Sequence, residues 1–209
     1  MTELRVYLPI EDLQPQFAAY MATPTRARGY PPFVGDHSLI IEVAPALAIH
    51  RIADLALKAA PDLEPGILFT ERHFGLLEIH ASDRTMVMEA GQAILKGIDC
   101  KAEDQLKPQV LFTDIIEDIS DQHAVIYNRM REASMILPGQ SLLVYEMAPA
   151  LFAAMAANEA EKAAPLVTLV DVQMMGASGR ISMAGETPQL KIAQDTISDV
   201  LNSMVGRQA

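Results

Sequence analysis

The chain has 209 residues, half of them hydrophobic, and a formal net charge of −11 at pH 7. Such an acidic chain is repelled by nucleic-acid backbones and by anionic membranes, so we exclude both as partners. No apolar run reaches the roughly 20 residues that span a bilayer, no secretory signal is recognisable, and the single cysteine, Cys100, cannot form an internal disulfide. We therefore expect a cytoplasmic protein of one large or two small globular domains.

Hydrophobic periodicity predicts the same order of elements in each half of the chain. In the first half, we expect strands over residues 4–10 and 38–44, a helix that ends before Pro61, strands over 66–71 and 75–81, and a helix over 83–95. The second half predicts strands over 109–115 and 141–148, a helix that ends before Pro165, strands over 166–172 and 179–185, and a helix over 188–201. Each half is therefore predicted to be a small sheet that carries helices, an α/β fold built of α+β layers.

The two halves are related by a repeat in the sequence. Residues 44–61 (APALAIHRIADLALKAAP) and 148–165 (APALFAAMAANEAEKAAP) begin and end alike. From Glu42 to Pro61, eleven of twenty residues recur without a gap at a spacing of 104, and Gly75 and Gly179 share this register. We predict a duplication over nearly the whole chain, with two homologous domains over residues 1–105 and 106–209.

The most specific motifs are "ADLALKAAP" at residues 53–61, "ANEAEKAAP" at 157–165, "GASG" at Gly176–Gly179 and "TERHFG" at Thr70–Gly75. With the order of elements, these motifs resemble the bacterial microcompartment shell domain, and two copies in one chain resemble its tandem-domain class. In each copy a strand that ends the ordinary domain stands first, as in the circularly permuted, gated members of that class. No enzyme motif in the sequence is comparably specific.

The resemblance implies that each domain is a small, mainly antiparallel sheet with helices. It also implies a structural protein of a microcompartment shell in the cytoplasm. It implies a homotrimer whose six domains form a pseudohexameric tile, which packs edge to edge with other shell proteins and in some relatives stacks in pairs. It also implies a central pore for small metabolites, lined by one loop from each domain. The implied pore and gate residues are Thr70, Glu71, Arg72, His73, Phe74, Gly75, Met174, Met175, Gly176, Ala177, Ser178 and Gly179.

The two implied pore loops differ in chemistry. Glu71 and Arg72 are bulky and charged, so they could pair across an axis and close it, or swing outward and open it. The small residues of Gly176–Gly179 let the backbone approach the axis. We therefore expect copy one to supply the gate.

Lys58 and Lys162 end the repeated helices at matching positions. The resemblance places such lysines at the tile edge, where the aliphatic part of the side chain packs on a neighbouring tile. A lysine near a helix C-terminus can instead simply complement the helix dipole. Because both copies keep the lysine in an otherwise diverged helix, we favour the edge role.

Two other classes of function are open to a duplicated α/β chain. One is a regulatory protein that binds a small molecule between its domains, and the other is an enzyme that uses Glu71, Arg72 and His73 in acid–base chemistry. Neither explains why both copies keep the lysine-ended helix. The histidines lack metal-site spacing and the glycines lack a dinucleotide fingerprint, so we expect no catalytic residue, metal or cofactor.

Overall fold

The computed structural model describes residues 2–23 and 29–208. The chain divides into two compact units, one of Met1–Lys107 with Val205–Ala209 and the other of Pro108–Met204. The sequence repeat instead predicts a division after residue 105, with the C-terminal residues in the second copy. The difference has a physical basis, because the Leu106 amide donates to the Arg5 carbonyl at 2.9 Å and the Lys107 amide to the Arg207 carbonyl at 2.8 Å.

The described residues of the first unit form one four-stranded antiparallel sheet and three α-helices. Its elements are β1 (Glu3–Ile10), α1 (Pro15–Met21), β2 (His37–Ala44), a 3₁₀ helix (Ala46–Ala48), α2 (Ile49–Ala59), β3 (Glu64–Glu71), β4 (Phe74–Ala81), α3 (Arg84–Gly97) and a second 3₁₀ helix (Ala102–Asp104). The strands lie in the order β1-β2-β4-β3. β2 and β4 are therefore central, and the β3–β4 loop joins the outer strand to a central one.

The second unit repeats this arrangement. Its elements are β5 (Gln109–Ile116), α4 (Asp121–Asn128), β6 (Ser141–Ala148), α5 (Phe152–Ala163), β7 (Thr168–Gln173), β8 (Gly179–Gly185) and α6 (Thr187–Ser203). The strand order is β5-β6-β8-β7, again antiparallel throughout. Every strand and long helix that the periodicity predicts is present, and the predicted fold of two similar antiparallel sheets with helices is confirmed.

The register of the two sheets reproduces the sequence repeat residue by residue. His37 pairs with Ala81 on β2 and β4, and Ser141 pairs with Gly185 on β6 and β8, so both partners shift by 104 positions. The first strand of each sheet also has an irregularity at a matching place, between Leu4 and Val6 in β1 and between Val110 and Phe112 in β5. The residues skipped at these bulges are Arg5 and Leu111.

The long helices cover one face of each sheet. In α2, Ile49, Ile52 and Ala56 are fully buried, because their spacing of three and four residues places them on one side of the helix. They pack with the alternate residues Leu39, Ile41 and Val43 of β2 in one core cluster. In the second unit, Tyr145 of β6 points to the corresponding face and bonds Ser198 of α6, with 2.9 Å between the hydroxyl oxygens.

The opposite face of the second sheet carries α4. Leu142 and Val144 of β6 alternate with Tyr145, and both pack in a cluster that includes Ala124 and Tyr127 of α4. The Tyr127 and Ser182 hydroxyls are hydrogen-bonded across this contact. Helices packed on the strands therefore hold each sheet in place. The loops at the ends of the strands start from these fixed positions.

Candidate functional site

Loop one, Thr70–Gly75, is a tight hairpin at the joined ends of β3 and β4. Thr70 pairs with Gly75 and Glu71 with Phe74, so the turn itself has only two residues, Arg72 and His73. Arg72 has a φ of 43°, in the left-handed region that a two-residue hairpin turn requires. The side chains of Thr70, Arg72 and His73 are exposed, Glu71 and Phe74 are half-buried, and Gly75 is buried.

A charged cluster lies at the base of loop one. Arg5 Nε donates to Glu42 Oε1 at 2.8 Å, and the Arg5 guanidinium carbon lies 3.7 Å from the centroid of the Phe74 ring. Burial raises the pKa of Glu42 above its ordinary value, the hydrogen bond and charge of Arg5 lower it, and the charge of Glu71 raises it further. Arg5 is therefore a cation shared by a buried carboxylate and an aromatic ring of the hairpin.

Loop two, Met174–Gly179, is longer and less regular. β7 ends at Gln173 and β8 begins at Gly179, so five residues connect the strands. Gly176 has a φ of 115°, which side-chain-bearing residues rarely adopt. Met174 and Gly179 are buried, Met175, Gly176 and Ser178 are half-buried, and Ala177 is exposed.

Loop two is bonded to a glutamate at the position that matches Glu42. Ser178 Oγ donates to Glu146 Oε1 at 2.5 Å, and Arg180 Nε lies 3.5 Å from the same oxygen. Glu42 is opposite Leu76 in the first sheet, and Glu146 is opposite Arg180 in the second. Each loop is thus linked to a glutamate at the same position of the repeat, loop two directly and loop one through Arg5.

The two candidate edge lysines lie near the C-terminal ends of α2 and α5, and their surroundings differ. Lys58 Nζ pairs with Asp54 Oδ1 at 2.8 Å, and its side chain is 75% exposed. Lys162 Nζ pairs with Glu159 Oε1 at 2.8 Å, and its side chain is 29% exposed. Each intrahelical pair leaves the ammonium near the helix end, with Lys58 the more accessible of the two.

The described residues contain neither a cluster of metal-ligating side chains nor a helix that could span a membrane. Across residues 2–23 and 29–208, no three His, Cys, Asp or Glu side chains are grouped so that they could hold a metal ion. Within those same residues, every helix is too short or too polar to cross a bilayer. Cys100 is a free, partly buried thiol.

Arg5, Glu42 and Glu146 were missed as site residues in the sequence. The repeat contained a signal for the two glutamates, since Glu42 and Glu146 are the first matched pair of the twenty-residue alignment. Arg5 had no such signal, because its counterpart at the matching bulge is Leu111. Arg5 contacts Glu42 and Phe74, which lie 37 and 69 positions further along the chain, so these contacts are visible only in the folded sheet.

Comparison with known proteins gives a consistent family. A family model described as the CsoS1D N-terminal domain matches residues 4–104. The carboxysome shell protein CsoS1D of Hydrogenovibrio crunogenus is 43% identical over 208 residues, which cover 99% of this chain and 100% of the relative. The carboxysome shell protein CcmP of Synechococcus elongatus is 40% identical over 206 residues, which cover 99% of this chain and 95% of the relative.

Solved structures agree with this result over the full length. The double ringed trimeric shell protein MSM0271 from the RMM microcompartment is 60% identical, with a TM-score of 0.96 and complete coverage of both chains. The fused permuted hexameric shell protein MSM0275 from the same microcompartment is 41% identical, with a TM-score of 0.93 and coverage of 99% of this chain and 100% of the other. The chain therefore belongs to the family of bacterial microcompartment shell proteins that carry two permuted shell domains in tandem.

Proposed function

We propose that three copies of this chain form a pseudohexameric tile of a microcompartment shell. The observation that carries the proposal is the full-length likeness, at 60% identity, to a shell protein described as trimeric. Two similar units in each chain supply six sheets for three chains, which is the number that a hexagonal outline needs. The regulatory class considered from the sequence has no counterpart among these relatives.

The tile is proposed to have a central pore lined alternately by loop one and loop two. Both loops connect the same two strands of their sheet, so a ring of six similar units brings all six loops to equivalent positions. Loop one presents the charged side chain of Arg72 and the His73 ring at an exposed tip, whereas loop two presents Ala177 and glycine backbone. The pore is therefore charged at three positions and small at the other three.

Loop one is the proposed gate for small metabolites. Three Glu71 and three Arg72 side chains can pair across the axis, or they can turn outward and leave a hydrated opening. Such water-exposed pairs are worth about 0–1 kcal/mol each, so the two states are close in energy. Within the described residues Arg72 forms no intrachain ion pair, so its guanidinium is available for a partner across the axis.

The outer contacts of the tile are proposed to include Lys58 and Lys162, which meet the edges of other shell proteins. The double-ringed description of the relative supports a second association, in which two tiles of this protein stack. We assign the chain no catalytic residue and no cofactor. Its relatives are named as shell proteins, and Arg72 and His73 are exposed on a hairpin tip.

Assembly of the purified full-length chain tests the proposal. Three chains of 22.8 kDa give a particle of about 68 kDa, or twice that mass if tiles stack. Light scattering should report one of these masses, and electron microscopy should show threefold particles with loops 70–75 and 174–179 around the axis. A monomer, or a particle in which either loop lies on the outer rim, would contradict the proposal.

A further inference from the structure

The two loops are connected to their sheets through equivalent residues. Phe74 and Ser178 lie 104 positions apart, directly before Gly75 and Gly179, and each is the loop residue that contacts the glutamate system of its unit. Ser178 donates directly to Glu146. Phe74 instead stacks under Arg5, which is bonded to Glu42. The duplicated glutamate is thus linked to the same loop position directly in the second unit and through Arg5 in the first.

The bulge in β1 places Arg5 where this contact is possible. A bulge adds a residue to one strand and changes the direction in which its side chain points. Arg5 occupies that position, and its side chain reaches across β2 to Glu42 and on to Phe74 of β4 while remaining only 19% exposed. Leu111 occupies the matching bulge in the second unit and has no charge to offer Glu146.

The electrostatic setting differs between the two glutamates. The Glu42 side chain is 8% exposed, and Glu71 is close enough for the two negative charges to interact unfavourably. Arg5 is the cation bonded to Glu42, so removing it would leave a buried carboxylate uncompensated beside a second carboxylate. The Glu146 side chain is 35% exposed, accepts from the Ser178 hydroxyl and lies 3.5 Å from Arg180 Nε, so it is better solvated than Glu42 and is bonded to its loop directly.

We propose that Arg5, Glu42 and Glu146 are positioning residues for the two strand–strand loops: Arg5 and Glu42 hold loop one through Phe74, and Glu146 holds loop two through Ser178. The inference deepens the proposed function, and it rests on that function only in describing the loops as lining a pore. Because Arg5 holds Phe74 from one side and neutralises Glu42 from the other, it determines where the hairpin that carries Glu71 and Arg72 leaves the sheet. Loop one is thereby held by a cation that bridges Glu42 and Phe74, and loop two by a hydroxyl that donates directly to Glu146.

Hydrogen–deuterium exchange of the assembled full-length protein tests the inference. Arg5→Met removes the guanidinium but keeps the length of the side chain. We expect exchange to rise about tenfold in peptides that contain residues 70–75 and to stay within about twofold in peptides of β6 and β8. Arg5→Lys keeps the cation and should restore part of the protection. Ser178→Ala is the matched variant, because it removes the hydroxyl that donates to Glu146; it should raise exchange around residues 173–180 without affecting 70–75.

A second variant separates positioning from simple destabilisation. Arg5→Met combined with Glu42→Gln removes the buried charge together with its partner, so the melting temperature should return toward that of the unmodified protein. The faster exchange at residues 70–75 should remain, because Phe74 still lacks its cation. Equal changes in both loops, or full recovery of protection in the double variant, would overturn the inference. Particle shape in electron microscopy is read separately, so failure of the proposed trimer and failure of this inference give different results.

Discussion

Gly75 lies directly against the carbonyl oxygen of Ala46, so closely that a Cβ on Gly75 would overlap that oxygen and lie 2.5 Å from the Cβ of Ile49. Gly179 has the same relationship with Ala150, whose carbonyl carbon would lie 2.9 Å from an added Cβ. Each glycine therefore lets the strand that follows a candidate pore loop pass beneath the start of the repeated helix. The close approach explains in physical terms why this pair occurs in both copies.

Gly179→Ala is expected to destabilise the protein by about 1–3 kcal/mol, because the helix backbone cannot move aside without losing its own packing. The measurement is the midpoint of chemical unfolding, and Gly75→Ala should behave alike in the first unit. Gly185→Ala is the control in the same strand, since its added Cβ would meet nothing nearer than 3.7 Å. Comparable losses in Gly179→Ala and Gly185→Ala would contradict the steric explanation.

The double variant Glu71→Ala with Arg72→Ala is expected to leave a permanently open pore. Arg72 is exposed at the hairpin tip and Glu71 directly precedes it, so truncation removes the charged groups that could meet at the axis while the Thr70–Gly75 pairing holds the backbone. Cryo-electron microscopy of the assembled particle measures the opening. The control is Glu11→Ala with Arg84→Ala, which removes an equally charged but distant surface pair. A sealed axis in the first double variant would exclude these residues as the gate.

Lys58→Asp is expected to abolish the extended two-dimensional arrays of tiles (tile sheets) while leaving individual trimers intact. Its side chain is 75% exposed, so the substitution changes an accessible charge with little cost to folding. Lys162→Asp should also prevent sheets, but with some loss of stability, since that lysine is mostly covered. Negative-stain microscopy measures the formation of tile sheets. Lys191→Asp on α6 is the control for reversing the charge of an exposed lysine. Sheets of normal extent in Lys58→Asp would argue against the edge assignment.

The stability of the first unit is expected to fall as pH rises above about 6.5. His80 and Glu78 are both fully buried, His80 Nδ1 lies 3.2 Å from Glu78 Oε1, and Ser38 donates to the same oxygen at 2.6 Å. Burial opposes the imidazolium charge, but the hydrogen bond and charge of Glu78, with smaller contributions from Asp36 and Glu64, raise the pKa of His80 above its ordinary 6.5.

The direction in which stability changes with pH follows from proton binding. Above pH 6.5 the folded state retains the His80 proton while the unfolded state loses it, so this stabilisation is complete below that pH and is lost as pH rises through the raised pKa. Thermal unfolding between pH 5.5 and 9 measures the slope, and His80→Asn should flatten it. His50→Asn, on the exposed side of α2, should keep the slope of the unmodified protein. An unchanged slope in His80→Asn would refute the assignment to this histidine.

The amino-acid sequence alone determined the duplication, the order of strands and long helices, and the matching places of loop one and loop two. These features are local: alternation defines a strand, a period near 3.6 defines a helix, and a fixed spacing of 104 defines the repeat. α1 was not found because seven residues give too few turns for a helical period to stand out.

The tertiary structure decided which residues hold the loops and where the chain divides. Arg5, Glu42 and Phe74 are widely separated in sequence and meet because β1, β2 and β4 are neighbours, with a bulge that directs Arg5. Residues 205–209 join the first unit because Arg207 hydrogen-bonds the backbone of Gln105 and Lys107. Neither arrangement leaves a periodic signal, since strand neighbours and bulges are set by packing between distant segments rather than by local preference.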